Sequence, residues 1–228
     1  MEQFVQIMSR LIEGFGVTVA LFAVTLVFAL PLGLLLGLGS MSKFKPLKWF
    51  IKGLVWVIRG TPLMLQILLV SFLPKYVFQV PTKQLASALG VTMTTMMFIF
   101  VAIAFVINYA CYFSEIYRGG IESISKGQYE AGQVLGMTRS QIFFKVVLMQ
   151  VVKRIIPPMS NEIITLVKDT SLAQVLGVID LLVAAKHAVN DLVVLTPFLY
   201  AAIFYLIFNG LLTLLFGWME KKLSYYKV

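Results

Sequence analysis

Residues 115–158 read EIYRGGIESISKGQYEAGQVLGMTRSQIFFKVVLMQVVKRIIPP, and this stretch decides the fold because it is the longest segment too polar to cross a bilayer. Segments that are apolar enough to cross one lie on both sides of it. A polar segment between membrane spans must fold outside the hydrocarbon. We therefore expect residues 115–158 to form a loop that docks against a partner protein.

This loop contains two sequence patterns that are typical of the start of a helix. A glutamine occurs three residues after Ser125 and again three residues after Thr138, and both pairs have the pattern of a capping box. Gly136 lies between them, where a helix ends most easily. The sequence therefore predicts a small helix over about 126–135, a sharp turn, and a second helix that returns toward the membrane at residues 157–158.

The composition indicates an integral membrane protein. The chain is 60% hydrophobic with a mean hydropathy of +0.92, which is more apolar side chain than a soluble domain of 228 residues could bury. Its net charge of +9 is compatible with nucleic acid binding, but basic loops on the cytoplasmic side of a membrane explain the charge better. The sequence contains no GxxxxGK[ST] loop, no HExxH motif and no Cys/His cluster. It predicts no catalytic residue, no metal site, no cofactor in this chain and no nucleic acid partner.

The predicted fold class is all-α, with one transmembrane domain over residues 1–228. Pro31 and Gly33 suggest a kink in the first span, and the second is weakened by Arg59 near its start. Five membrane spans are predicted, at about 15–39, 53–73, 88–113, 157–176 and 194–218.

The basic residues predict the orientation of these spans. If residues 41–59, 118–154 and the C-terminal tail lie inside, most of the nineteen Lys and Arg residues are cytoplasmic. We therefore expect the N-terminus outside, the C-terminus inside, and a cytoplasmic coupling loop over 118–155. The basic residues left outside are Arg10, Lys75, Lys83, Lys168 and Lys186.

One motif in the loop resembles a known signature. Glu130-Ala131-Gly132 is followed by Gly136, Val146, Leu148 and Met149, and this spacing resembles the EAA motif of ABC-importer permeases, EAA-x3-G-x9-I-x-L-P. Further stretches resemble the polar amino-acid permeases of that superfamily, including the arginine, histidine and glutamine types. They are RGTPL at 59–63, EIYRGGI at 115–121, GQYEA at 127–131, SNE at 160–162 and KDTSL at 168–172.

The resemblance implies a type I ABC-importer permease fold and a set of partners. Two copies of a separate ATPase subunit would carry ATP and Mg and bind the coupling loop. A second permease, either another copy or a paralogue, would complete the pathway, and an extracytoplasmic solute-binding protein would deliver the substrate. The implied location is the bacterial plasma (inner) membrane, as a multi-pass protein in contact with lipid.

The residues expected to dock with the ATPase subunit lie in the first loop helix and at the turn after it. A helix that enters a cleft needs small residues where backbones approach, and a charge such as Glu130 can meet a basic group or a helix terminus on the partner. The expected docking residues are Tyr129, Glu130, Ala131, Gly132, Leu135, Gly136 and Arg139.

The expected substrate-binding residues are polar groups inside predicted spans, where such groups are costly and usually face a cavity. Glu162, Thr165 and Asp169 share one face of a helix, and Asn161 lies beside them. Gln66 and Asn108 are candidates on the second and third spans. An interhelical hydrogen bond is the alternative interpretation for these two, and a local pair with Lys168 is the alternative for Asp169.

The sequence therefore predicts an ATP-driven importer of a polar amino acid. Carboxylates in a low-dielectric cavity favour a cationic solute such as arginine, lysine or histidine. One alternative is a secondary transporter in which Glu162 or Asp169 carries a coupling proton. A membrane-embedded enzyme is a weaker alternative, because no acid/base pair or nucleophile constellation is present.

Overall fold

The computed structural model describes residues 2–223, with the side chain of Glu2 outside the description, and its regular structure is entirely helical over this range. Ten α-helices follow one another along the described chain. They are α1 (Glu2–Ser40), α2 (Lys45–Arg59), α3 (Leu63–Tyr76), α4 (Thr82–Ala88), α5 (Met93–Glu122), α6 (Lys126–Val134), α7 (Arg139–Ile142), α8 (Leu148–Asp169), α9 (Leu181–Leu192) and α10 (Thr196–Leu223). A π-helical segment, Phe143–Val147, joins α7 to α8, and a 3-10 segment, Thr170–Leu176, follows α8.

Three helices are long and apolar enough to cross a membrane by themselves, namely α1, α5 and α10. Two bent pairs bring the possible number of spans in the described chain to five. One pair is α2 with α3, and the other is the helical run 139–176 with α9. The fold class predicted from the sequence is confirmed, while the number of spans stays a prediction.

The first helix runs through Pro31 without a break. Gly33 serves close packing, since a Cβ there would lie 2.8 Å from the Cβ of Phe113 and 2.9 Å from the carbonyl oxygen of Ala110. The backbones of α1 and α5 can therefore approach each other closely at this level.

The predicted second span, 53–73, is not one straight helix. It divides into the end of α2 and most of α3, whose axes meet at 110° across Gly60-Thr61-Pro62. Pro62 is the cap residue of α3, and a proline here cannot continue the preceding helix. We call residues 60–62 the elbow.

The main hydrophobic core lies where α1, α3, α5 and α8 meet. Side chains on α5 and α8 fill its centre, and several are completely buried. These include Val101, Phe105, Phe113, Leu166 and Val167. The core leaves the opposite side of α8 free, which is the side that carries Glu162 and Asp169.

The loop of α6 and α7 folds nearly as its sequence predicts. The first helix covers Lys126–Val134, and Gly136 adopts φ +72°, the left-handed conformation that glycine provides at low cost. Thr138 and Gln141 form the predicted capping box. The capping box predicted at Ser125 is wrong, because the Ser125 side chain makes no cap hydrogen bond.

The predicted return of the chain to the membrane also differs in detail. Helix α8 begins at Leu148 and continues through Pro157 and Pro158 without a break. With α7 and the π-helical segment it forms one helical run from residue 139 to residue 176. The coupling loop and the polar face of α8 therefore belong to one continuous element.

Candidate functional site

A cavity of about 390 Å³ opens where the elbow meets α5 and α8. Four of the predicted substrate residues line it, namely Asn108, Glu162, Thr165 and Asp169. The structure therefore brings the polar face of α8 together with the middle of α5. The remaining lining residues are Thr61, Pro62, Leu63, Tyr109 and Tyr112.

The two carboxylates of the cavity differ in their surroundings. Asp169 accepts a hydrogen bond from the Tyr109 hydroxyl at 2.7 Å, which fixes its position. Glu162, two turns earlier on α8, has no hydrogen bond or ion pair with any residue in the described part of the chain. Of the two carboxylates, only Asp169 is therefore held by a hydrogen bond to another described residue.

The neighbours of Glu162 on α8 divide between the cavity and the core. The Thr165 hydroxyl donates to the carbonyl oxygen of Asn161 at 2.9 Å, and Thr165 lines the cavity. Asn161 is exposed and lies outside the cavity lining. Ile163 and Val167 are buried on the core side. The polar face predicted for α8 is present, with Asn161 at its edge.

The polar groups predicted on α3 and α5 bond to each other. Asn108 Nδ2 donates to Gln66 Oε1 at 3.0 Å, across 42 residues of sequence. Gln66 Nε2 donates to the carbonyl oxygen of Ile58 at 2.8 Å and to Thr61 Oγ1 at 2.9 Å. The interhelical hydrogen bond considered for this pair is confirmed. Gln66 ties the elbow to α5, and only Asn108 of the pair reaches the cavity.

Arg59, the last residue of α2, lies beside the cavity. Its guanidinium is 5.0 Å from the ring centroid of Tyr112, and it is 3.6 Å from the carboxylate of Glu115. Arg118, three residues further along α5, forms an ion pair with Glu115 at 2.6 Å. The charge of Arg59 also acts on Glu162 across the cavity.

The aromatic lining was missed by the prediction from sequence. Tyr109 follows Asn108 directly, and Tyr112 lies one turn further along α5. Residues i and i+4 share a helix face, so Asn108 already indicated that Tyr112 would face the same space. Tyrosine offers both an apolar ring and a hydroxyl, which suits a pocket for an amphipathic solute.

The second candidate site is the outer surface of α6 and the turn that follows it. Most of the expected docking residues are exposed, namely Tyr129, Glu130, Ala131, Leu135, Gly136 and Arg139. Leu135 is 78% exposed and its neighbour Val134 is 88% exposed, which is unusual for apolar side chains on a polar loop. Val134 was not among the predicted docking residues, although an apolar residue at the end of a polar helix already indicated an exposed contact surface.

Gly132 is the exception among the docking residues. It is buried, and a Cβ there would lie 2.6 Å from Cγ1 of Ile142 on α7. Its small size is needed for packing inside the loop. A partner protein could not contact it directly while α6 and α7 are packed in this way.

No group of three or more His, Cys, Asp and Glu side chains in the described range could hold a metal ion. The cavity combines carboxylate, hydroxyl, amide and aromatic groups around a small space.

Most of the chain matches a known protein family. Residues 29–225 match the family described as binding-protein-dependent transport system inner membrane component. This chain belongs to that family. It is therefore a multi-pass inner membrane component of a transport system, and the family resemblance predicted from the motifs is confirmed.

Two curated relatives of this transport family align with most of the chain. An L-cystine transport system permease of Bacillus subtilis (strain 168) is 37% identical over 215 residues, which cover 93% of this chain and 86% of the relative. An arginine transport system permease of the same organism is 33% identical over 217 residues, with 94% and 92% covered.

Solved structures show the same fold. The crystal structure of an amino acid ABC transporter with histidines superposes with a TM-score of 0.80 at 28% identity, covering 96% of each chain. The inward-facing methionine ABC transporter MetNI superposes with a TM-score of 0.70 at 17% identity, covering 96% of this chain and 98% of that one. The type I importer permease fold predicted from the resemblance is thus supported by both.

The bond between Gln66 and Asn108 predicts non-additive stability effects. Replacing either residue with leucine should lower the free energy of unfolding by about 1–3 kcal/mol, because a buried amide loses its partner. The double variant Gln66→Leu/Asn108→Leu should lose about 1 kcal/mol less than the sum of the two single losses. The measurement is denaturant unfolding of the purified chain in detergent.

The control for this cycle pairs Gln66→Leu with Ser71→Ala. The Ser71 hydroxyl bonds only to the carbonyl oxygen of Leu68 within its own helix. The losses in free energy of unfolding caused by these two substitutions should add. Additive effects for Gln66 and Asn108 would contradict the proposed coupling between the elbow and α5.

Proposed function

We propose that this chain is the permease subunit of an ATP-driven importer that carries a polar, basic amino acid across the inner membrane. The observation that carries the proposal is the cavity between the elbow, α5 and α8, in which Glu162 has no partner in the described chain while Asp169 is held by Tyr109. The relatives named for cystine and arginine support an amino acid as the class of solute.

The geometry of the cavity suits the two charges of an amino acid. Helix α3 begins at the cavity with Leu63, and its cap residue Pro62 provides no side-chain hydrogen bond. The first N–H groups of a helix have no acceptor within it and carry the positive end of its dipole. An α-carboxylate would be stabilised there, as at other broken helices in transporters.

The opposite end of the solute would meet the carboxylates of α8. A guanidinium or ammonium group beside the half-buried Glu162 would form a charge-assisted hydrogen bond with it. Tyr109 and Tyr112 would pack against the aliphatic part of the side chain. Asp169 adds negative charge at the same face, and a cation is therefore favoured over a neutral side chain.

Energy would enter through the loop of α6 and α7. Its exposed Val134 and Leu135 form an apolar patch on a segment that is predicted to lie in the cytoplasm. A partner protein that binds this segment would bury the patch. We propose the ATPase subunit as that partner, with Tyr129, Glu130 and Arg139 around the patch. Two such subunits would bind a pair of permeases, related by a two-fold axis if both are copies of this chain.

The connection from the docking loop to the cavity is direct. From Arg139 the chain is helical through Glu162 and Asp169, so a displacement of α7 moves α8 with it. About 35 Å of helix separates Arg139 from Glu162 at 1.5 Å per residue. An extracytoplasmic solute-binding protein would release the substrate on the side of the membrane opposite to the coupling loop.

The substrate assignment is tested by Glu162→Gln, which removes the charge and keeps the shape. The KM for arginine uptake should rise about ten-fold or more, because a charge-assisted hydrogen bond contributes about 1.5–3 kcal/mol. The measurement is uptake of labelled arginine by vesicles that contain the complete transporter.

The matched control is Glu122→Gln. Glu122 is exposed at the end of α5, where it pairs with Arg118 and lies outside the cavity. Arginine uptake by this variant should equal that of the unaltered protein. Undiminished arginine uptake by Glu162→Gln would remove Glu162 from the binding site.

The coupling loop is tested at Gly136, whose φ of +72° disfavours a side chain although the space around it is open. Gly136→Val should distort the turn between α6 and α7, so ATP hydrolysis should continue while uptake per ATP falls several-fold. The measurement is the ratio of solute transported to phosphate released.

Gly136→Asn provides the control at the same position, since asparagine tolerates the left-handed conformation. The asparagine variant should keep most of its coupling. Equal ratios for the valine and asparagine variants would show that the backbone geometry at this turn does not transmit the energy of ATP.

A further inference from the structure

We propose that α2 is a lipid-binding helix whose basic side holds the headgroups of anionic phospholipids, and that this attachment fixes the elbow wall of the cavity. The proposal rests on how the residues of α2 are distributed around its axis, on where the helix lies, and on its connection to Thr61. It is independent of which solute is transported.

One side of α2 faces the protein. Ile51 and Val55 are buried one turn apart and pack in a cluster with Cys111 of α5. Ile51 also reaches α1, since its Cδ1 atom occupies the space that a Cβ on Gly39 would need. These contacts fix the rotation of α2, so the direction of every other side chain follows from the helical period.

The next side of α2 is basic. Lys45, Lys48 and Lys52 recur at intervals of three and four residues, which places them on one face together with Arg59. Arg59 is engaged by Glu115 and by the ring of Tyr112. None of the three lysines forms an ion pair with a carboxylate in the described part of the chain.

The sides of α2 that face away from the protein are aromatic and apolar. Trp49 is 75% exposed and Trp56 is 78% exposed, both next to the basic side. Phe50 and Val57 follow further round and are exposed as well. Lysine, then tryptophan, then apolar side chains around one helix is the order expected for a helix in the plane of a membrane interface.

The position of α2 agrees with such a plane. It begins after the end of α1 at Ser40 and ends beside Tyr112 and Glu115, in the half of α5 nearer the coupling loop. Its axis is turned 110° from that of α3. The helix therefore lies across the end of the bundle that is predicted to face the cytoplasm, where anionic headgroups attract basic segments.

A phospholipid accounts for this surface better than a free anion does. A free phosphate could neutralise the lysines but would leave the two tryptophans and Phe50 in water. An anionic phospholipid supplies a headgroup for Lys45 and Lys48 and acyl chains for Phe50. Both parts of the surface are then used by one ligand.

The elbow connects this surface to the cavity. Gln66 Nε2 bonds to the carbonyl oxygen of Ile58, near the end of α2, and to Thr61 in the cavity wall. The end of α2 and the wall therefore move together. Attachment of α2 to anionic lipid would hold Thr61 and Pro62 at a fixed depth relative to α8.

The proposal is tested with the purified full-length chain in detergent, mixed with equal amounts of phosphatidylglycerol and phosphatidylcholine. Native mass spectrometry counts the lipids that remain bound. The unaltered chain should retain phosphatidylglycerol preferentially, and Lys45→Gln/Lys48→Gln should lower this preference about five-fold for each lysine removed.

Two control variants make the result specific. Lys75→Gln/Lys83→Gln removes the same charge from the opposite end of the bundle and should leave the preference unchanged. Lys45→Arg/Lys48→Arg keeps the charge and should show the same preference for phosphatidylglycerol as the unaltered chain. Unchanged preference in Lys45→Gln/Lys48→Gln, or an equal loss in Lys75→Gln/Lys83→Gln, would overturn the proposal, as would displacement of the bound lipid by inorganic phosphate.

A second measurement distinguishes lipid from a protein cover. Comparing the complete transporter that carries Trp218→Phe with one that also lacks Trp49 and Trp56 isolates the fluorescence of these two tryptophans. Their fluorescence should be quenched by phosphatidylglycerol with brominated acyl chains in the vesicle membrane. Absence of quenching would mean that another protein chain covers α2, and the lipid proposal would fail.

Discussion

A break between two helices leaves backbone polar groups without their helical partners, and at the elbow the amide of Gln66 provides the bonds that they need within the protein. Its nitrogen donates to the carbonyl oxygen of Ile58 and to Thr61, while its oxygen accepts from Asn108. One side chain thus joins the end of α2, the start of α3 and the middle of α5. The cavity depends on this junction, because the elbow forms one of its walls and the uncapped start of α3 opens into it.

The second organising feature is the unbroken helical run from the coupling loop to the cavity. The turn at Gly136 and the capping box at Thr138 set the start of this run, and Pro157-Pro158 do not interrupt it. Under the two proposals, the two walls of the cavity are controlled from different places. The wall of α8 belongs to the loop that we propose as the ATPase docking site, and the wall of the elbow belongs to α2 at the membrane surface.

The long helices, the turn at Gly136 and the polar face of α8 could be predicted from the sequence, because each depends on residues that are close together in the chain. Apolar length gives the long helices, the left-handed glycine at 136 gives the turn, and the spacing of Glu162, Thr165 and Asp169 gives one polar helix face. The failures involve contacts between distant segments. Gln66 at the elbow bonds to Asn108, Gly132 is buried against Ile142, and Tyr109 bonds to Asp169. No local pattern shows these pairings, and hydropathy alone merges α2 and α3 into one span.

The most direct test of the account is arginine uptake by vesicles that contain this chain, its ATPase subunit and its solute-binding protein. The account predicts that uptake requires ATP on the side of the coupling loop and persists when the proton gradient is abolished. The unpaired Glu162 could also carry a proton in a secondary transporter. Uptake that is driven by a proton gradient without ATP would contradict the account.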